Sequence, residues 1–272
     1  MVQPVRRPAT NPIANGLASA GVHRFLSRVV YRCFTYLLTM KTLDFHLSHQ
    51  RLSAVFWLMV ATGLCVAILA VNMLYTRDWG WSFLLWNLFL AWIPLGCALL
   101  AERARGLMAV ACGAVWLLFF PNAPYILTDL VHLGNYDGWM LWWVNLIMIL
   151  SFAMTGLLLG YLSLYVIQKR IAQRFGSLAG WAFAVAMLAL CGFGIYLGRF
   201  ERWNSWDVFF EPVSLLRDIW MVIRHPFGNW QVYAVSALLS SFLVVMYVAL
   251  YHFTRPHEQV RERRLHVQVI EQ

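Results

Sequence analysis

A carboxylate and an imidazole lie three residues apart in the chemically most distinctive stretch of this chain, Phe119 to Leu133. The stretch is Phe-Phe-Pro-Asn-Ala-Pro-Tyr-Ile-Leu-Thr-Asp-Leu-Val-His-Leu, with Asp129 and His132 near its end. On one helix face this pair could exchange protons with a substrate or supply two ligands to zinc or manganese. Because a metal ion needs further ligands, the stretch alone does not define a metal site.

A second polar stretch, Gly-Arg-Phe-Glu-Arg-Trp-Asn-Ser-Trp-Asp, runs from Gly198 to Asp207 directly after a long apolar segment. Charges close to a hydrocarbon boundary are costly unless they are paired. Arg199 and Arg202 therefore need carboxylate or phosphate partners, and guanidinium suits such planar pairing better than ammonium. The candidate carboxylates are Asp129, Glu201 and Asp207.

Three interpretations fit these two stretches. In the first, Arg199 and Arg202 pair with Asp129 and Asp207 in a purely structural polar network. In the second, the arginines together with Trp203 and Trp206 clamp an anionic small molecule or a lipid headgroup, which is bound or transported. In the third, the chain is a metal-assisted or acid–base enzyme acting on a lipid or polar substrate at the outer leaflet. That enzyme would use Asp129, His132, Glu201 and Asp207.

We favour a binding or structural role over catalysis, and no motif indicates a cofactor. The candidate network comprises Asn122, Tyr125, Asp129, His132, Arg199, Glu201, Arg202, Asn204 and Asp207. A transporter is a further alternative, although the chain shows no internal repeat to support it.

The two prolines of the first stretch predict a break in an apolar helix. Pro124 can open a new short helix, capped by Asn122 or Ala123. On an α-helix the side chains of Tyr125, Asp129 and His132 would share one face. The opposite, apolar stripe would then consist of Ile126, Leu130 and Leu133. Irregular backbone at membrane depth must be buried in protein or line a wet cavity, so we expect a re-entrant piece or a cap over the bundle.

The composition predicts that these stretches belong to an all-α, polytopic membrane protein. Hydrophobic residues make up 61% of the 272 residues and charged residues 12%, about half the ~25% that is typical of soluble domains. The apolar residues form six blocks, each near the ~20 residues that cross a bilayer. The predicted spans are Ser53–Tyr75, Trp81–Ala101, Gly106–Phe120, Trp139–Gln168, Ser177–Leu197 and Trp230–Phe253. The third is short and is expected to include residues just before it.

The distribution of basic residues predicts an orientation. With both termini in the cytoplasm, sixteen of the 21 Lys and Arg residues lie in cytoplasmic segments, as the positive-inside rule requires. The two polar stretches then face the extracytoplasmic side. Because the positive charge, +9 overall, lies between apolar blocks, we expect the bilayer rather than nucleic acid as partner. The oligomeric state is not indicated.

Three segments flank or connect these spans. Residues 1–52 form a cytoplasmic segment in which His23 to Met40 predicts a basic amphipathic helix at the membrane interface; Met40 is an alternative start that would remove it. Residues 254–272 form a basic cytoplasmic tail, and 53–253 form the membrane domain. Glu211-Pro212 and His225-Pro226 predict the start and end of an outer interfacial helix. Asn72, Asn87 and Asn145, inside spans, predict hydrogen bonds between helices.

Taken together, the stretches from Phe119 to Leu133 and from Gly194 to Asp207 resemble a bacterial multi-pass membrane family, domain of unknown function 1361. The resemblance would cover about Ser53 to Phe253, most of the chain. It implies a location in the bacterial cytoplasmic membrane and marks the two stretches as family signatures. It implies no activity, cofactor or catalytic residue.

Overall fold

Helices account for the regular structure of the described residues, which in this computed structural model are 49–135 and 139–270. The predicted basic helix from His23 to Met40 lies outside this part of the chain. The helices are α1 His49–Thr76, α2 Phe83–Arg103, α3 Leu107–Phe119, α4 Asn122–Tyr125, α5 Trp139–Phe175, α6 Ser177–Arg199, α7 Asp207–Phe210, α8 Pro212–Arg224 and α9 Trp230–Ile270. Short 3₁₀ helices cover Gly80–Ser82 and Ile126–Asn135.

Within the described residues, six helical segments are long and apolar enough to cross a membrane, which confirms the predicted all-α, six-span architecture. They are Leu52–Thr76, Gly80–Arg103, Leu107–Leu133, Met140–Phe175, Ser177–Arg199 and Trp230–Phe253. The prediction for the third span was wrong in one respect. The span gains its length after the prolines, up to Leu133, rather than before Gly106.

The chain continues past the prolines because the helix changes type instead of ending. Pro121 and Pro124 lack an N–H, so they cannot donate the hydrogen bonds that α-helix would need at these positions. The backbone N–H of Ala123 donates to Phe120 (3.2 Å) and that of Tyr125 to Pro121 (3.0 Å). Residues Ile126–Asn135 then form a 3₁₀ helix, which is unusually long for its type.

The change of helix type corrects the predicted helical faces. In a 3₁₀ helix residues three apart are aligned, so Ile126 shares a column with Asp129 and His132. Ile126 is fully buried rather than part of an opposite stripe. Tyr125, the last residue of α4, contacts the same arginine side chain as Asp129, Arg199, as described below.

Helix α5 lies at the centre of the bundle and packs against α2, α6 and the long 3₁₀ helix. Its glycines allow close approach of the chain from Pro121 to Asn135, which we call the broken segment. A Cβ atom on Gly156 would lie 2.5 Å from the carbonyl oxygen of Ala123 and 2.9 Å from the Cδ1 atom of Ile126. This contact fixes the depth at which the residues following Ile126 enter the bundle.

All three asparagines inside the spans take part in hydrogen bonds between helices, as predicted. Asn72 of α1 donates to Asn145 of α5 at 2.7 Å, and Asn87 of α2 donates to Asp129 at 3.1 Å. The amide oxygen of Asn145 is the acceptor in the first pair, so one hydrogen bond joins the side-chain amides of Asn72 and Asn145.

The predicted interfacial helix is present as α8, Pro212–Arg224, with the proline in its first turn. Most of its apolar side chains, such as Leu216 and Trp220, are exposed. Tyr233 of α9 donates a hydrogen bond to the carbonyl of Val222 (3.1 Å), which attaches the end of α8 to the bundle. Helix α9 runs on to Ile270, although its apolar part ends at Phe253.

Candidate functional site

Asp129 is the centre of a buried polar cluster at the end of the bundle where the chain connects α6 to α8. Only 1% of its surface is exposed. One carboxylate oxygen accepts a hydrogen bond from Arg199, and the other accepts one from Asn87 at 3.1 Å. A buried carboxylate is tolerated only when it is paired and hydrogen-bonded, and each oxygen here has a donor.

Arg199, the last residue of α6, is held by three groups of the broken segment. Its Nε and Nη2 atoms donate to the hydroxyl of Thr128 at 2.9 Å and 2.7 Å, and Nη2 also donates to Asp129. Its guanidinium lies 4.7 Å from the centre of the Tyr125 ring, within the range of a cation–π contact. Tyr125 and Asp129 therefore meet at the guanidinium, although they do not share a helical face.

His132 lies one 3₁₀ turn beyond Asp129, at the rim of the cluster. Its Nδ1 atom is 3.1 Å from the carbonyl oxygen of Asp129 and 4.0 Å from the carboxylate. Because a carbonyl only accepts, this contact requires the proton on Nδ1 and leaves Nε2 with a lone pair in the neutral ring. The side chain is 44% exposed and packs against Phe83, 5.5 Å away between ring centres.

Some of the predicted residues in the segment after α6 belong to the site, and others do not. Asn122 donates to Ser205 at 2.8 Å, which joins the two polar stretches. Asp207 accepts from the backbone N–H of Asn204 at 2.6 Å and so stabilises its own turn. Glu201 and Arg202 are exposed, and Arg202 has a φ of 62°, in the left-handed region.

A cavity of about 630 Å³ opens beside this cluster, and we call it the site cavity. Six of the nine predicted network residues line it, and Glu201, Arg202 and Asp207 do not. Its polar lining includes Asn87, Asn122, Tyr125, Asp129, His132, Arg199, Asn204 and Ser205, and its aromatic lining includes Phe83, Trp86, Trp203 and Trp206. The apolar lining, which we call the apolar wall, comprises Leu90, Leu117, Leu118, Leu190, Phe193, Leu197, Leu215 and Ile219.

The four proposed metal ligands do not come together. Within residues 49–135 and 139–270, no three His, Cys, Asp or Glu side chains are grouped so that they could hold a metal ion. Both oxygens of Asp129 already accept hydrogen bonds, from Arg199 and Asn87. Asp207 bonds to its own turn. The arrangement can bind and orient polar groups through hydrogen bonds.

Sequence reasoning missed three residues of the cluster. Thr128 and Ser205 belong to the two quoted stretches, but short hydroxyl side chains gave no reason to prefer them over their neighbours. Asn87 was predicted to bond another helix, and its partner proved to be the carboxylate of Asp129. A rule that each buried carboxylate oxygen needs its own donor would have pointed to such an amide.

The fold and the site define a class: a polytopic α-helical membrane protein with a polar cavity at one end of its bundle. The chain belongs to the family described as protein of unknown function (DUF1361), whose model matches residues 86–251. The match confirms the resemblance, although it starts at residue 86, inside α2, rather than at Ser53. No curated protein and no solved structure matches the chain.

Proposed function

We propose that this protein binds a membrane amphiphile, with the polar headgroup at the Asp129–Arg199 cluster and the apolar tail along the cavity wall. The observation that carries the proposal is that the lining of the site cavity combines a set of hydrogen-bonding side chains with a set of apolar ones. Ligand pockets are mostly apolar, with a few polar groups that fix orientation. At about 630 Å³, the cavity falls in the usual range of such pockets, about 300–1,000 Å³.

The apolar wall supports a ligand that enters from the bilayer. Leu190 of α6 lines the cavity and is also 52% exposed on the surface of the bundle. Leu215 of α8 lines it as well, on a helix most of whose apolar side chains are exposed. In a bilayer such surfaces meet lipid, so an acyl or isoprenoid chain could extend from the cavity into the membrane without exposure to water.

We also propose on which side of the membrane the site cavity opens. Sixteen of the 21 Lys and Arg residues belong to the sequence segments predicted to be cytoplasmic, which supports a cytoplasmic position for both termini. The site cavity then opens at the extracytoplasmic leaflet of the bacterial cytoplasmic membrane. We propose the same divisions of the chain as in the sequence analysis: a cytoplasmic segment over residues 1–52, the membrane domain over 53–253 and a cytoplasmic basic tail over 254–272.

A pair of leucines on α6 provides the test. Leu190→Trp places a large ring in the cavity wall, whereas Leu178→Trp places the same ring at a position that is 85% exposed and outside the cavity. We expect detergent-purified protein to retain one co-purifying lipid in native mass spectrometry. Leu190→Trp should lose this lipid and Leu178→Trp should keep it.

Melting temperatures of the three proteins serve as the folding control, since neither leucine is buried. The proposal fails if wild type and both variants carry the same lipid complement. It also fails if none of them carries a bound lipid.

A further inference from the structure

The charges of the site cavity cancel. Among the described residues that line it, two belong to the types Asp, Glu, Lys and Arg, namely Asp129 and Arg199. These two residues form an ion pair with each other. The exposed Arg202, which could have attracted an anion, does not line the cavity. A phosphate headgroup would therefore find one guanidinium whose charge is already compensated, and would add an uncompensated charge to a partly buried site.

The groups that remain are neutral donors and acceptors. Asn204 and Ser205 present an amide and a hydroxyl at the cavity, and the open Nε2 of His132 is an acceptor. Each can exchange hydrogen bonds with a hydroxyl group. None of them supplies the fixed positive charge that phosphate recognition uses.

Aromatic rings stand beside these polar groups. Trp86 of α2 and Trp206, which precedes α7, lie 6.4 Å apart between ring centres, at 62° to each other, and both line the cavity. The face of an indole ring is apolar and electron-rich. It matches the C–H face of a sugar ring, whose hydroxyl groups point outward to planar amide and carboxylate partners.

We propose that the headgroup recognised in the site cavity is an uncharged, hydroxyl-rich glycosyl group rather than a phosphate. This inference rests on the proposed function, because it specifies the headgroup of the amphiphile. The same chemistry could come from a glycolipid or from a free sugar, and the apolar wall favours the glycolipid.

Thermal stability in nanodiscs of phosphatidylcholine tests the inference without glycoside detergents. The probes are monoglucosyl diacylglycerol, phosphatidic acid with the same acyl chains, and methyl glucoside added in water. We expect the glucosyl lipid to raise the melting temperature by about 2–4 °C, as a ligand specific for the folded state does. Phosphatidic acid and methyl glucoside should have no effect at matched concentrations.

A shift with phosphatidic acid alone would overturn the glycosyl headgroup and leave amphiphile binding standing. A shift with methyl glucoside equal to that with the glucosyl lipid would support the glycosyl headgroup and overturn the amphiphile. No shift with any probe would overturn the glycosyl headgroup.

Two tryptophans separate recognition from folding. Trp206→Leu removes an indole from the cavity, and Trp220→Leu removes one that is exposed on α8 and outside it. The shift caused by the glucosyl lipid should disappear in Trp206→Leu and persist in Trp220→Leu. If both variants keep the full shift, the indole does not contact the headgroup and the inference is wrong.

Discussion

Two asparagines in the spans, Asn72 and Asn87, each place a polar amide inside the bundle, and they find different hydrogen-bond partners there. Asn72 meets Asn145 in a closed contact with both residues at most 3% exposed. Two atoms of that contact, the Asn72 oxygen and the Asn145 nitrogen, have no hydrogen-bond partner. Asn87 meets Asp129, whose other oxygen is bonded to Arg199, at the wall of a cavity.

The comparison shows what a buried charge demands that a buried amide does not. A neutral amide pair can be closed off with one hydrogen bond, at the cost of two unpaired atoms. A carboxylate requires donors on both oxygens and a cation, which here come from α2 and α6. The segment that carries Asp129 must also approach α5 closely, at Gly156. We expect substitutions to affect the two contacts by very different amounts.

The largest effect should follow the loss of the cation. Arg199→Ala leaves Asp129 buried without its counter-charge, which should lower the free energy of unfolding by about 3–5 kcal/mol. Thermal or denaturant unfolding in detergent measures the change. Arg202→Ala, at an exposed position of the same stretch, should change it by less than about 0.5 kcal/mol. Equal effects of the two variants would contradict the assignment of Arg199 as the partner.

Loss of the amide donor should rank second. Asn87→Leu removes a hydrogen bond to a charged group, which is worth about 1.5–3 kcal/mol. The double variant with Arg199→Ala should deviate from additivity, because both residues serve the same carboxylate. A double-mutant cycle measures this coupling, and additive effects would show that the two donors act independently.

Loss of the close helix approach should have a similar or smaller effect. Gly156→Ala places a methyl group against the Ala123 carbonyl and should cost about 1–3 kcal/mol through overpacking. Gly113→Ala, in α3, meets no atom within 4 Å and should be neutral or slightly stabilising. Unfolding experiments on the two variants compare them directly, and a neutral Gly156→Ala would show that the broken segment can move away from α5.

The smallest effect belongs to the amide pair. A double-mutant cycle on Asn72→Leu and Asn145→Leu should give a coupling of about 0.6 kcal/mol, the average for such contacts in membranes. Because the pair already holds two unpaired atoms, the double variant should be close to wild type in stability. A coupling above about 2 kcal/mol would make this contact equivalent to the charged one.

The spans could be predicted because length and hydropathy are properties of continuous segments. The third span was predicted poorly because the two prolines suggested an end, whereas the chain continued by changing helix type. That change also decided which residues lie directly in line with Asp129, since residues three apart are eclipsed in a 3₁₀ helix but offset by about 60° in an α-helix. Sequence carries little information on this choice, which depends on packing against α5.

The site was predictable at the level of its two stretches but not of its contacts. Arg199 and Arg202 are chemically equivalent in the sequence, three residues apart, and only the end of α6 decides which of them reaches Asp129. The left-handed φ of Arg202 turns the chain immediately after α6. Asn204 then donates a hydrogen bond to Asp207.

The ion pair joins residues that are 70 positions apart in the chain, and this separation matters during synthesis. At about 5–20 residues per second, Asp129 is made roughly 4–14 s before Arg199. During that interval Asn87 is already present but the counter-charge is not. The contacts that Thr128 and Asp129 make with Arg199 can therefore form only after α6 has been made, so this part of the site is completed late in assembly.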